Sequence, residues 1–164
     1  MELGQANDST GRVLGDRYQL LSYSTRGRGW DEYHALDLDT NDRVLIKILS
    51  TSISEDVEFL RRLTLDIATA SFIDHPHVQR VFDWGRSGEV VYLVTETFRG
   101  VSLQLLLDRG HQLTAAQATK LGFEIASGLN AVHQSGLCHG DISPSNLLIG
   151  TDGSSKLANF FLAN

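Results

Sequence analysis

The sequence predicts an α+β fold: a mostly antiparallel N-terminal sheet with one helix, then two helices, a loop and a short hairpin. Three observations predict it. Strand-like segments at 18–23, 31–36 and 43–49 precede any helix signal. Apolar residues then recur at helical spacing in 52–73 and again in 114–134. The segment 137–164 is too broken for a helix and reads as a loop followed by two short strands.

Residues 1–16 are polar and glycine-containing and read as a flexible lead-in. The second and third strands are separated by the turn signal Asp39-Thr40-Asn41-Asp42. In 52–73, Ser54 with Glu55 and Asp56 makes a helix start, and Phe59, Leu63, Ile67 and Ala70 form one apolar stripe. His75-Pro76 ends that helix, because the residue before proline avoids the helical region. Strands at 77–83 and 89–96 follow, joined by Gly85-Arg86-Ser87-Gly88. A short helix at 102–109 closes on Gly110, and 114–134 carries Leu121, Ile125, Leu129 and Val132 on one face. The final strands, 146–149 and 155–159, turn at Thr151-Asp152-Gly153.

With 41% hydrophobic and 21% charged residues, the composition is that of a globular protein, not a disordered one. A net charge of −6, with no basic cluster beyond Arg61-Arg62, argues against nucleic-acid binding, which rests on neutralising phosphates. The apolar runs are too short to span a bilayer, so no membrane insertion is expected. Met1-Glu2-Leu3-Gly4-Gln5 has neither the basic head nor the apolar stretch of a signal peptide. The single cysteine, Cys138, fits a reducing compartment, and the expected location is cytoplasmic. Cys138 itself reads as a small apolar residue on a buried strand.

Three segments carry chemistry in register. Val44-Leu45-Ile46-Lys47 lies near the end of the third strand. His139-Gly140-Asp141-Ile142-Ser143-Pro144-Ser145-Asn146 occupies the loop, and Asn159-Phe160-Phe161 begins thirteen residues after Asn146. Together they resemble the V-A-I-K, H-R-D-L-K-P-x-N and D-F-G segments of protein kinases. The start, Gly15-Asp16-Arg17-Tyr18, is most similar to bacterial-type Ser/Thr kinases. The resemblance implies a protein-kinase-like N-terminal lobe at 17–98, with a five-stranded antiparallel sheet and one helix. It further implies a partial C-terminal lobe at 99–164, with two helices, a catalytic-type loop and a hairpin.

Departures from the family pattern set the functional expectation. The three glycine positions of the phosphate loop fall on Thr25, Gly27 and Trp30, with Gly29 able to serve a shifted register. Only Gly27 keeps the residue that lets backbone approach phosphate closely. Glu32 and Leu45 replace the small apolar residues that sandwich adenine. Overpacking by Leu45 costs about 1–3 kcal/mol, and a Glu32 facing a dry pocket costs more unless it turns outward. Lys47 is kept, but its helix partner falls on Asp66, one methylene shorter than the expected Glu. Asn159 replaces the magnesium-binding Asp, and Ser143 replaces the catalytic-loop Lys.

The implied expectation is a degenerate, C-terminally truncated pseudokinase, not an enzyme, acting as a binding, scaffold or accessory subunit. It would use no cofactor and would not bind ATP with Mg²⁺. On that reading Asp141 caps its loop, Asn146 ties loop to strand, and Lys47, Gly27 and Asp66 are vestiges of nucleotide binding. Phe160 packs as the aromatic of D-F-G does. Because the sequence ends at Asn164, a protein partner or a second copy is expected to cover the helix at 114–134 and the loop at 139–146. The alternative is a divergent phosphotransferase using Lys47, Asp141 and Asn146. It would be of protein-kinase type or, because H-G-D with Asn five residues later also marks them, similar to aminoglycoside phosphotransferases.

Overall fold

Leu14, Tyr18, Leu20, Tyr33, Ala35, Val44, Ile46, Tyr92 and Val94 bury together, and every one of them lies on a strand. The strands are β1 (Val13–Leu14), β2 (Tyr18–Gly27), β3 (Trp30–Asp37), β4 (Arg43–Leu49), β5 (Val81–Ser87) and β6 (Val90–Glu96). They form one six-stranded sheet in the order β1-β2-β3-β4-β6-β5. The β3–β4 register follows from the turn between them. Asp37 N–H donates to the Asp42 carbonyl, Leu36 then pairs with Arg43, and the ladder runs without a slip to Trp30 opposite Leu49. Arg17 holds the start of the sheet through two bonds to the Asp37 carboxylate, at 2.9 and 2.7 Å.

The computed structural model describes residues 9–27 and 29–159, in two compact units. The first runs to Leu60 and includes Phe82–Thr97; the second holds Arg61–Val81 and the chain from Phe98 onward. In the first, α1 (Thr51–Ser54) follows β4; α2 (Val57–Ala70) begins there and continues into the second. The second unit adds β7 (Gly100–Ser102), α3 (Leu103–Asp108), α4 (Ala115–Gln134), a 3-10 turn at Pro144–Asn146, β8 (Leu147–Gly150) and β9 (Ser155–Leu157). Among the described residues no helix is long and apolar enough to cross a membrane.

Several expectations are corrected in detail. The sheet has six strands, not five, because Val13–Leu14 pairs with β2 and drives Leu14 fully into the core. Residues 13–14 are therefore not part of a flexible lead-in, and residues 1–8 lie outside the described ones. The helix expected over 52–73 is broken at 55–56. There the Asp56 carboxylate accepts the Phe59 N–H at 2.9 Å and starts α2 afresh. The stripe itself is as expected, with Phe59, Leu63, Ile67 and Ala70 all buried. The strand expected at 77–83 begins at Val81, since Val78 instead bridges in parallel to Leu157. The terminal hairpin is joined by β7 into a three-stranded sheet, β7-β8-β9.

Helix α4 opens with a capping box between Thr114 and Gln117. It turns Ile125, Gly128 and Val132 inward. Gly128 has no substitute, because a Cβ there would lie 2.5 Å from the His77 carbonyl oxygen. The same packing ties α4 to β9: Ser155 Oγ donates to Glu124 at 2.6 Å, and Leu157 N–H donates to the His77 carbonyl.

Candidate active site

In the first unit the β3–β4 ladder sets Glu32 directly opposite Lys47. Residues opposite one another on adjacent strands share a face, so the two side chains meet. Lys47 Nζ lies 3.4 Å from Glu32 Oε2, with side-chain exposures of 2% and 12%. Ser24 Oγ, from β2, donates to the other carboxylate oxygen at 3.0 Å. The Trp30 ring closes the cluster, its centroid 5.2 Å from Nζ. Burial pulls the Lys47 ammonium below its ordinary pKa, and the Glu32 carboxylate opposes that pull. The expected penalty for Glu32 is thereby corrected: it neither faces a dry pocket alone nor turns outward, because a buried cation meets it. Asp66, the partner expected from sequence, sits half-buried on α2 in the second unit.

Gly27 has a steric requirement of its own. It pairs with Trp30 at the tip of the hairpin, and a Cβ there would lie 2.0 Å from the indole. Leu45 is buried. Its ladder neighbour Thr95 carries a buried hydroxyl with no hydrogen-bond partner, a feature sequence reading passed over.

In the second unit, His139 is buried and braces the loop from both ring nitrogens. Nε2 donates to the Ala158 carbonyl at 3.0 Å, and Nδ1 accepts the Asp141 N–H at 3.1 Å. Burial holds this imidazole below its ordinary pKa, so it stays neutral. Asn146 Nδ2 donates to both the carbonyl and the carboxylate of Asp141, at 2.9 and 2.8 Å. Its backbone carbonyl accepts the Ala158 N–H, which ties the loop to the end of β9. The Asp141 carboxylate is held by this side chain rather than by capping backbone N–H groups, and Asp141 is exposed.

Asn159 completes the chain of bonds, its Nδ2 donating to Asn146 Oδ1 at 2.9 Å. The amide orientations follow from the network. The end of Asn146 that meets two acceptor oxygens must be nitrogen, so its other end is oxygen and the facing atom of Asn159 is nitrogen. Asn159 adopts a φ of 65°, a left-handed conformation that Asn tolerates better than most residues. Phe160 and Phe161 lie outside the described residues. Cys138 is exposed beside this loop, not buried on a strand, because 137–140 forms no ladder.

The donor set of this loop does not fit a bridging Mg²⁺. Such a hard dication prefers anionic oxygens in octahedral array. Here an N–H already sits on Asn146 Oδ1, and the one oxygen of Asn159, buried without a partner, is neutral. Among the described residues no group of three His, Cys, Asp or Glu side chains is arranged to hold a metal.

Each unit thus carries one of the segments that resemble protein-kinase motifs: the strand lysine in the first, and in the second the Asp–Asn loop braced by a buried histidine. The protein kinase domain family matches residues 26–164, and the chain belongs to that family. It is 31% identical over 153 residues to the serine/threonine-protein kinase PrkC of Bacillus subtilis, covering 93% of this chain and 24% of that protein. The serine/threonine-protein kinase PknA of Mycobacterium tuberculosis is 31% identical over 158 residues, across 93% of this chain and 37% of its own length. The chain thus spans well under half of these relatives. Its fold matches a crystal structure of the Mycobacterium tuberculosis PknI kinase domain, a double mutant, with a TM-score of 0.87 and 24% identity. That match covers all of this chain and 64% of the other. These findings overturn the expectation of a non-enzyme: the relatives are named kinases and the fold is theirs, which points to an enzyme.

Proposed function

We propose that the chain serves phosphoryl transfer from a nucleoside triphosphate to a Ser or Thr hydroxyl. In the proposed step the hydroxyl oxygen bonds to the terminal phosphorus while its proton passes to the Asp141 carboxylate. The bond to the leaving nucleoside diphosphate breaks. Lys47 is the cation set against the donor phosphates. Phosphoryl transfer needs positioning and electrostatics above all, so a base fixed in place is the first requirement.

The observation that carries this reading is the state of Asp141. One carboxylate oxygen is anchored at 2.8 Å by Asn146, its backbone N–H is anchored by His139, and the residue is exposed. A loop cap needs no access to solvent, whereas a base does. The names of the relatives support the same reaction class.

The test is transfer of labelled phosphate from ATP to Ser/Thr peptides by the purified chain, with Mg²⁺ and with chelator. Asp141→Asn is expected to lower the rate at least a hundredfold, within the range ascribed to general base catalysis. Absence of transfer by the unaltered chain in both buffers, or an Asp141→Asn variant as active as it, overturns the reading.

A further inference from the structure

We propose that Glu32 is the positioning residue for Lys47, supplying from the neighbouring strand the carboxylate that holds the kinase lysine. The inference rests on the proposed phosphotransfer reading for its purpose, but not for its geometry. A kinase lysine acts on phosphate only while paired with a carboxylate, a partner ordinarily carried by a helix. In this chain the pair is formed wholly within one sheet. Glu32 and Lys47 are ladder partners on β3 and β4, and the register between those strands shows no irregularity. Moving either residue would mean breaking the ladder.

Three neighbours shape the pair. The Glu32 Oε2 contact at 3.4 Å is accompanied by the Ser24 hydroxyl on Oε1 at 3.0 Å, which fixes the rotation of the carboxylate. The Trp30 ring lies over Nζ, and Gly27 leaves the space that ring occupies. Residues at the phosphate-loop and adenine positions thus form one assembly around the lysine. Glu32, a departure from the family pattern, is matched by Trp30, a second departure. The sheet thus supplies Lys47 with a carboxylate from its own neighbouring strand.

The deciding experiment follows the Lys47 side chain by ¹³C–¹H NMR through a pH titration. It compares the unaltered chain with Glu32→Gln and Glu32→Asp. Loss of the carboxylate removes the influence that raises the lysine pKa, so the Lys47 midpoint is expected to fall in Glu32→Gln. Glu32→Asp, which keeps a shorter carboxylate, should lie between the two. A purely structural role for Glu32 would change stability without moving that midpoint. ATP affinity, measured by calorimetry, is expected to weaken about tenfold in Glu32→Gln, the size of a partly lost charge contact. Lys47 midpoints that coincide in all three proteins overturn the proposal. Should Glu32→Gln fail to fold, an unchanged midpoint in Glu32→Asp alone overturns it. An unaltered chain that binds no ATP defeats the phosphotransfer reading instead, and the NMR arm still decides the role of Glu32.

Discussion

The two units depart from the family pattern in opposite ways. In the sheet a charge has been added: Glu32 stands where an apolar residue is usual, and it lies against a lysine buried to 2% exposure. In the loop a charge has been removed: Asn159 stands where an Asp is usual, and it joins an amide chain running through Asn146 to Asp141. The difference teaches how each site tolerates change. A buried charge is stable only as half of a pair, so Glu32 is bound to the fate of Lys47. An amide carries its own donor and acceptor, so Asn159 satisfies its neighbour without any counter-ion.

The sharpest way to break that comparison is to remove one half of the buried pair. Lys47→Met leaves the Glu32 carboxylate without its cation, and the expected loss is about 3–5 kcal/mol of stability in urea denaturation. Lys47→Met with Glu32→Val is expected to recover most of it, since an apolar pair of similar volume replaces a desolvated ionic one. A double variant as unstable as the single one would mean that the two residues are not coupled.

The second test acts on the loop. Asn159→Asp would set a carboxylate oxygen against Asn146 Oδ1, replacing a 2.9 Å hydrogen bond with repulsion. In chelator the expected loss is about 1–3 kcal/mol, a fall of several degrees in melting temperature for a chain this size. Millimolar Mg²⁺ is expected to restore the variant by bridging the two oxygens, and to leave the unaltered chain unmoved. A Mg²⁺-dependent rise in the unaltered chain would show that its own amide oxygens accept the ion.

What the sequence disclosed, and what it hid, follows the same division between local and paired information. The loop residues Asp141, Asn146 and Asn159 were legible because their chemistry sits in contiguous motifs, and the structure joins them in one network. The α2 stripe and the core strands were legible from periodicity. β1 and β7 were not, because strands of two and three residues carry no period and exist only through their partners. Glu32 was recognised as a departure but not as a partner. The signal was present, since counting outward from the Asp39–Asp42 turn pairs 36 with 43 and hence 32 with 47. Reading it required treating the turn as a register and not merely as a boundary. The expectation of a non-enzyme was drawn from departures at single positions, and the family match and the named kinase relatives count against it.

The smallest expected effect separates the two units by pH. His139 has its pKa lowered below the ordinary 6.5, mainly by burial. A depressed histidine contributes stability that is present above its unfolded pKa and lost as pH falls through 6.5 toward the folded value. Protonation would put a hydrogen on Nδ1, the atom that accepts the Asp141 N–H, so one anchor of the catalytic-type loop fails. His75, also lowered by burial and set 3.3 Å from the Ser127 hydroxyl, adds in the same direction. In the sheet the Asp37 carboxyl is held down to about 2, first by its bond to Arg17. Its contribution persists to lower pH and is lost only below the ordinary value of 3.8. Between pH 7 and 5 the loop is therefore expected to weaken by about 1 kcal/mol, the size of one hydrogen bond, while the sheet holds. Amide hydrogen exchange resolved by residue measures both, and His139→Gln should flatten the loop's slope without altering that of the sheet. Equal weakening of the two units across pH 7 to 5, or a slope unchanged by His139→Gln, would refute the assignment of that pH window to the loop.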